Sequence, residues 1–351
     1  MKTRALYLAV VVILVLVVVA VALYFKEEGE PRTIYVPDAY GTIHRAVSKA
    51  APGSTIIVRD GIYHEDVDVD KRLTIKSENG SADCIVDALH ANDYVFRVTA
   101  NYVNITGFTV TGVPEPWWAG ISLYGVEHCN ISGNKATGNE IGIELGDSDN
   151  NTLMNNIASS NLHYGISLWF DANNNTLTNN SASNNGDSGI YVIGGSNMLV
   201  ENTVDGNYLV GIYMVSHGDN MLTNNNVNRN AIGILLASSS NMLVSNIVCE
   251  NKIGIDAMRG EAKNNIIYNN YCNNTENAPY GGGRNTWNIT RTAGTNIIGG
   301  PYLGGNYWSD YTGIDTDGDG LGDTLLPHNG DYLPLVPLNL TSETTGEKGV
   351  E

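Results

Sequence analysis

Asp315-Thr316-Asp317-Gly318-Asp319-Gly320-Leu321-Gly322-Asp323 sets carboxylates at relative positions 1, 3, 5 and 9, with glycine at position 6. Hard oxygens at that spacing, with the Leu321 carbonyl at position 7, reproduce the front of a loop that wraps a calcium ion. Leu326 stands at position 12, where a calcium sensor carries a bidentate glutamate, so the expected ion is structural. Asp310 or Asp331 is the expected source of the missing oxygen.

A second stretch with chemical potential lies upstream. Glu144, Asp147, Asp149 and Asp171 are candidates for a carboxylate pair that cleaves a glycosidic bond, a reaction needing separations of about 5 or 6.5–9.5 Å according to mechanism. Trp169, Tyr191, Tyr213 and His217 are interleaved with them. Aromatic platforms beside acids suit a glycan, whose apolar ring faces stack while its hydroxyls hydrogen-bond to carboxylates. Aspartate in turns and tyrosine on solvated strands would explain the same residues without any ligand.

What positions these residues is a repeat. Gly120-Ile-Ser-Leu recurs in related form at Gly142, Gly165, Gly189, Gly211, Gly233 and Gly254, at spacings of 22, 23, 24, 22, 22 and 21. A second word, N-x-[LI]-x-x-N, keeps step with it from Asn151, Asn175, Asn197, Asn220, Asn241 and Asn265. Apolar residues alternate within each word, the period of a strand, and so much Gly and Asn disfavours helix. Leucine-rich repeats need a fuller leucine consensus, and propeller repeats are about twice as long. A parallel β-helix remains, with equivalent residues stacked about 4.8 Å apart in successive coils. The closing asparagines, Asn134, Asn156, Asn180, Asn202, Asn225, Asn246 and Asn270, are then expected to point inward as a hydrogen-bonded ladder, in a column where Phe108 stands earlier. The third residue of each G-I-x-L word, including Ser122, Glu144, Ser167, Tyr191, Tyr213 and Asp256, is expected to face outward.

Residues 40–50 read as a short amphipathic helix, with Ile43, Ala46, Val47 and Ala50 on one side, placed to cover the raw edge of the first coil. Tyr307, Trp308 and Tyr311 are expected to close the opposite end. The segments GTIHRAVSKAAPGSTIIVRDGIYHEDVDVDKRLTIKSE and VNITGFTVTG, with the coils that follow, resemble the pectin-lyase-like superfamily. Within it they are most similar to archaeal NosD-type proteins with carbohydrate-binding and sugar-hydrolysis repeats, over about residues 33–335. The resemblance implies an all-β, right-handed parallel β-helix and an association with copper handling. Met198, Met221 and Met242 share one column, yet ordinary packing is the favoured reading for them and copper the disfavoured one, since no Met-x-x-Met or His-rich tract accompanies them. Lyase chemistry is also disfavoured: between residues 120 and 260 the bases are Lys135, Arg229, Lys252 and Arg259, none in the G-I-x-L row. Gly61-Ile-Tyr-His-Glu65 echoes a pectin-esterase opening without its downstream segments and is read as part of the first coil.

Composition and the N-terminus give location. With 19 basic and 37 acidic residues the net charge is −18, which argues against nucleic acid as a partner. Lys2 and Arg4 precede an apolar run at residues 5–25, long enough at 1.5 Å per residue to span about 30 Å of bilayer. Basic flanks favour a cytoplasmic N-terminus and an exported body, anchored by that segment or released after signal cleavage. Nine N-x-[ST] sequons then become available for glycosylation, at Asn79, Asn104, Asn130, Asn150, Asn174, Asn179, Asn273, Asn288 and Asn339. Four cysteines make no zinc motif, and are either paired or buried thiols. The expected organisation is anchor or signal (1–25), linker (26–32), β-helix with its cap (33–300), C-terminal cap with the calcium loop (301–338) and tail (339–351). The expected function is non-catalytic binding of a glycan or other surface component, with a glycoside hydrolase as the alternative and a copper-associated accessory protein as the third reading.

Overall fold

A computed structural model describes residues 12–17, 29–257, 262–279, 281 and 283–338. Each coil contributes one short strand to each of three parallel sheets. Sheet 1 has 11 strands, from Thr33–Val36 to Ile266–Tyr268; sheet 3 has 11, from Gly61–His64 to Tyr307–Trp308; sheet 2 has nine, from Val67–Val69 to Ile253–Ala257. The chain visits sheets 1, 3 and 2 in turn and climbs one coil per circuit, so the fold is a right-handed parallel β-helix.

Register confirms the stacking that the repeat words imply. Ile143 pairs with Ile166 and Ile166 with Ile190 in sheet 2, while Leu153, Leu177 and Leu199 stack in sheet 1. All six are fully buried. Sheet 3 uses smaller inward residues, Ala136, Ala158 and Ala182, which narrow the core at that wall. The glycine opening each sheet-2 word sits at a bend: a Cβ on Gly165 would lie 2.7 Å from the Asn185 amide nitrogen and 2.7 Å from the Gly189 carbonyl oxygen.

Asparagine serves two purposes at each turn. Asn155, Asn179 and Asn224 adopt left-handed φ of 56°, 53° and 55°, a conformation this side chain tolerates better than most. The residue after each is the buried ladder asparagine. In that ladder Asn180 receives hydrogen bonds from the Asn156 backbone N–H (3.0 Å) and side-chain amide (3.0 Å), and donates its own amide to the Leu153 carbonyl (2.9 Å). The pattern continues through Asn202, Asn225, Asn246 and Asn270 to Asn306. Phe108 caps it, donating its backbone N–H to Asn134 (3.0 Å). The opening asparagines of the second word form another ladder, from Asn151 to Asn285. A third ladder, which the repeat words did not reveal, runs through Asn139, Asn161, Asn185, Asn207, Asn230 and Asn251 at the corner between sheets 3 and 2.

Both ends are closed as expected. Helix Ile43–Lys49 starts at the Thr42 cap, which accepts from Arg45 N, and Glu65 accepts the backbone N–H groups of Ile43 and His44 at 2.9 and 2.8 Å. Ile43, Ala46 and Val47 are buried against the first coil. At the other end Trp308 pairs with Cys272 in sheet 3 and packs with Trp287 at 5.7 Å. All four cysteines are free thiols, so the paired alternative does not hold. Among the described residues no helix is long and apolar enough to cross a membrane. The expected anchor lies outside them except for residues 12–17, which are helical, and the expected tail lies wholly outside.

Candidate functional site

The outward row of sheet 2 runs in register as Asp68, Arg97, Ser122, Glu144, Ser167, Tyr191, Tyr213, Leu235 and Asp256. Although it faces away from the core, its middle is covered. Ser122 and Ser167 are 3% and 0% exposed. The cover is aromatic: Tyr94, Tyr164, Trp169 and Tyr191 pack with Ala119 and Ile141 in a cluster separate from the core. Tyr164 stacks on Tyr191 at 4.8 Å, Trp169 lies 5.1 Å from Tyr191, and Tyr213 meets Tyr191 edge-on at 5.4 Å. Tyr94 meets Trp118 edge-on at 4.8 Å. Trp117, Tyr124 and Phe170 remain largely exposed.

Glu144 is set among these groups. Burial pushes its carboxyl up to about 7, and a long contact from the Ser122 hydroxyl (3.4 Å) offsets only part of the rise. Tyr94 feels the Glu144 charge as well as its own burial, and its phenol is raised. Ser167 Oγ, beside Glu144 in the register, and Trp169 Nε1 are buried without a hydrogen-bond partner. Asp256 Oδ1, at the far end of the row, is likewise without one.

The other carboxylates expected to work with Glu144 lie in the turns that follow the sheet-2 strands. Asp147 takes a left-handed φ of 48° in the turn after the strand, Asp149 accepts the Asn173 backbone N–H (2.7 Å) in that turn, and Asp171 is exposed 3.8 Å from His217. Strand alternation explains this: Glu144 is fixed by the pleat, whereas the three aspartates lie beyond the strand end, where short acceptors tie turn amides. His217 belongs to the same turn, its Nδ1 3.1 Å from the Ile193 carbonyl. Of the four expected ligand residues, Trp169, Tyr191 and Tyr213 are thus together and His217 is apart. Tyr94 and Tyr164 are the members that sequence reasoning missed. Tyr164 directly precedes a G-I-x-L word, where strict alternation would set it inward with Ile166, but it packs in the outer cluster instead.

In the C-terminal loop, oxygens of Asp315, Asp317 and Asp323 lie within 4.8 Å of one another. Asp315 accepts Gly318 N and Gly320 N, both at 2.7 Å; burial opposes ionisation there, but these amides outweigh it and hold the carboxyl below its usual range. The Thr316 hydroxyl and amide do the same for Asp323. Asp319 departs from the expected ligand set, reaching Arg291 at 2.6 Å, and Leu321 is buried in a bridge to Leu335. Neither expected extra ligand serves the loop. Asp310 accepts from Asn277 (2.7 Å), and buried Asp331 accepts Asn306 N (2.7 Å) and Trp308 Nε1 (3.0 Å).

A three-sheeted right-handed β-helix defines the class, and solved structures agree with the fold. Pectate lyase Pel9A is 14% identical with a TM-score of 0.59, covering 91% of this chain and 92% of its own. ORF18 of Geobacillus virus E2 is 12% identical with a TM-score of 0.63, over 73% of this chain and 59% of its own. Alginate lyase from Paenibacillus sp. str. FPU-7 is 19% identical with a TM-score of 0.57, over 73% and 99%. A cell surface glycoprotein of Methanothermus fervidus is 39% identical over 82 residues, which are 23% of this chain and 13% of that protein. The chain belongs to the NosD family, described as periplasmic copper-binding protein, whose model matches residues 47–216 and 101–313.

Among the described residues, the stacked methionines do not converge as a copper site would require. Met198, Met221 and Met242 stack in one outward row on sheet 1, Met198 being 44% exposed. Thioethers on successive strands form a line, whereas Cu(I) requires soft donors around a point. Among the described residues, Asp315, Asp317 and Asp323 form the one group of three or more His, Cys, Asp or Glu side chains whose ligand atoms all lie within 4.8 Å of one another, and it is all hard oxygen.

Proposed function

We propose that this protein is a membrane-tethered surface protein that binds glycan on the outer face of sheet 2 without cleaving it. The observation that carries this reading is the run of aromatic rings, Tyr164, Trp169, Tyr191 and Tyr213, in mutual contact on the outer face of sheet 2. Hydrolysis would need a second carboxylate facing the same bond, and the three candidates lie beyond the sheet-2 strand ends, where Asp149 holds the Asn173 backbone N–H. The likeness to a cell surface glycoprotein supports a surface location, and the apolar run at residues 5–25 would supply the tether. A structural calcium ion in the C-terminal loop, held by Asp315, Asp317 and Asp323, completes the proposal.

Titration of an oligosaccharide panel, followed by tryptophan fluorescence and reducing-end release, tests it. Binding without release is expected, weakened about tenfold or more by Trp169→Ala or Tyr191→Ala, in line with stacking worth about 1 kcal/mol beyond buried area. Release of reducing ends that Glu144→Gln abolishes would establish the hydrolase instead. Affinity unchanged in both aromatic variants would remove the binding face from this surface.

A further inference from the structure

Nine sequons are equal in sequence, but the fold sorts them. Modification joins the asparagine Nδ2 to a sugar, and the hydroxyl two residues on assists, so both groups must be reachable. At Asn150, Asn174 and Asn273 the asparagine is exposed. Among the described residues, no partner occupies the side-chain amides of these three or the hydroxyls of Thr152, Thr176 and Thr275. Asn150 and Asn174 stand on adjacent coils at left-handed φ of 56° and 55°, in the turn from sheet 2 to sheet 1. They precede the buried ladder residues Asn151 and Asn175 and take no part in the ladder. Asn273 ends its sheet-3 strand at the surface.

The remaining described sequons are engaged. Asn104 donates its amide to Thr74 (3.2 Å), and the Thr106 hydroxyl of its sequon is bonded to Ser132 (2.9 Å), the hydroxyl of the Asn130 sequon. Asn179 donates to Asn155 (2.6 Å) while Ser181 bonds to Ser183. Asn79 donates to Asp60 (2.9 Å), and Asn288 accepts Tyr332 N (3.1 Å).

We propose that Asn150, Asn174 and Asn273 are N-glycosylated on the folded β-helix, and that Asn104, Asn130 and Asn179 are not. The co-reactant is a lipid-phosphate-linked oligosaccharide: Nδ2 attacks the anomeric carbon, the C–O bond to phosphate breaks, the lipid phosphate leaves and the amide loses one proton. Glycopeptide mass spectrometry of the full chain, recovered from the envelope of the cells that make it, reads occupancy site by site. Sugar at the three open positions is expected, with loss of each adduct in Thr152→Val, Thr176→Val and Thr275→Val, which keep the asparagine in place. Sugar at Asn104, Asn130 or Asn179, or bare asparagine at all three open positions, would overturn the assignment. The parent and variant proteins should unfold at the same urea midpoint, so a lost adduct cannot be attributed to misfolding.

Discussion

Replacing Asn202 by leucine isolates what one rung of a ladder contributes. The side chain is fully buried, and leucine keeps its branched four-atom skeleton while replacing the amide with two bulkier methyls. In the parent, Asn202 Oδ1 accepts the Asn180 backbone N–H (2.9 Å) and side-chain amide (3.0 Å), while its own amide reaches the Leu177 carbonyl (2.9 Å). Leucine leaves a buried backbone N–H and one amide proton of Asn180 without that acceptor, and takes one donor from Leu177. An orphaned buried group costs about 1–3 kcal/mol, so two such groups predict a loss of about 2–6 kcal/mol. Leucine's better transfer from water recovers only part of this. Urea unfolding is the assay, with the loss read as a lower midpoint at unchanged slope. Thr203→Val, on the neighbouring exposed position, should stay within about 0.5 kcal/mol. Phe108 shows why position matters: it occupies the same column harmlessly because it opens the ladder and has only a donor to place, which Asn134 accepts. An Asn202→Leu protein as stable as its parent would refute the view that these asparagines hold the coils together by satisfying buried amides.

Other outcomes follow from the charges and turns of the same molecule. Folding holds Glu144 protonated up to about pH 7 against an ordinary value of 4.5, so its contribution is full below pH 4.5 and lost as pH rises to 7. Glu144→Gln should remove up to about 3 kcal/mol of that decline in urea midpoints measured across the window, a figure set by 1.36 kcal/mol per pKa unit; parallel pH curves for parent and variant would contradict it. If the C-terminal loop binds Ca²⁺ at about 10⁻⁴–10⁻³ M, 10 mM ion should add about 1.4–2.7 kcal/mol of stability, absent in Asp317→Asn/Asp323→Asn; calorimetry without heat in the parent would refute the site. Gly186→Ala should unfold the central coils at markedly lower urea, because its Cβ would sit 2.0 Å from the Leu162 carbonyl oxygen; retention of the parent midpoint would show that the turn yields.

The architecture was readable because stacking forces identity: Ile143, Ile166 and Ile190 face the same walls and so recur in one word. The third ladder carries no repeat word because Asn139, Asn161, Asn185 and Asn207 are followed by Glu140, Leu162, Gly186 and Tyr208, which share no chemistry. The site was legible only in part. Trp169, Tyr191 and Tyr213 could be placed by strand alternation, whereas the partners of Glu144 could not. Asp147 is three residues from Glu144 in the chain, but it is the first residue beyond the strand, and turn geometry leaves no periodic trace. Asp319 was assigned to the ion by spacing alone, and Arg291, distant in sequence, claims it.

Every rung of the central ladder donates in one direction, and the last donor, Asn306 N, finds the carboxylate of Asp331. A row built this way has a beginning that needs no acceptor and an end that supplies one, while its interior units are interchangeable. Copying or deleting a whole coil between Asn156 and Asn202 would leave both terminations untouched. The protein's length is therefore a quantity that its lineage can change in steps, like pages in a bound book, without redesigning either cover.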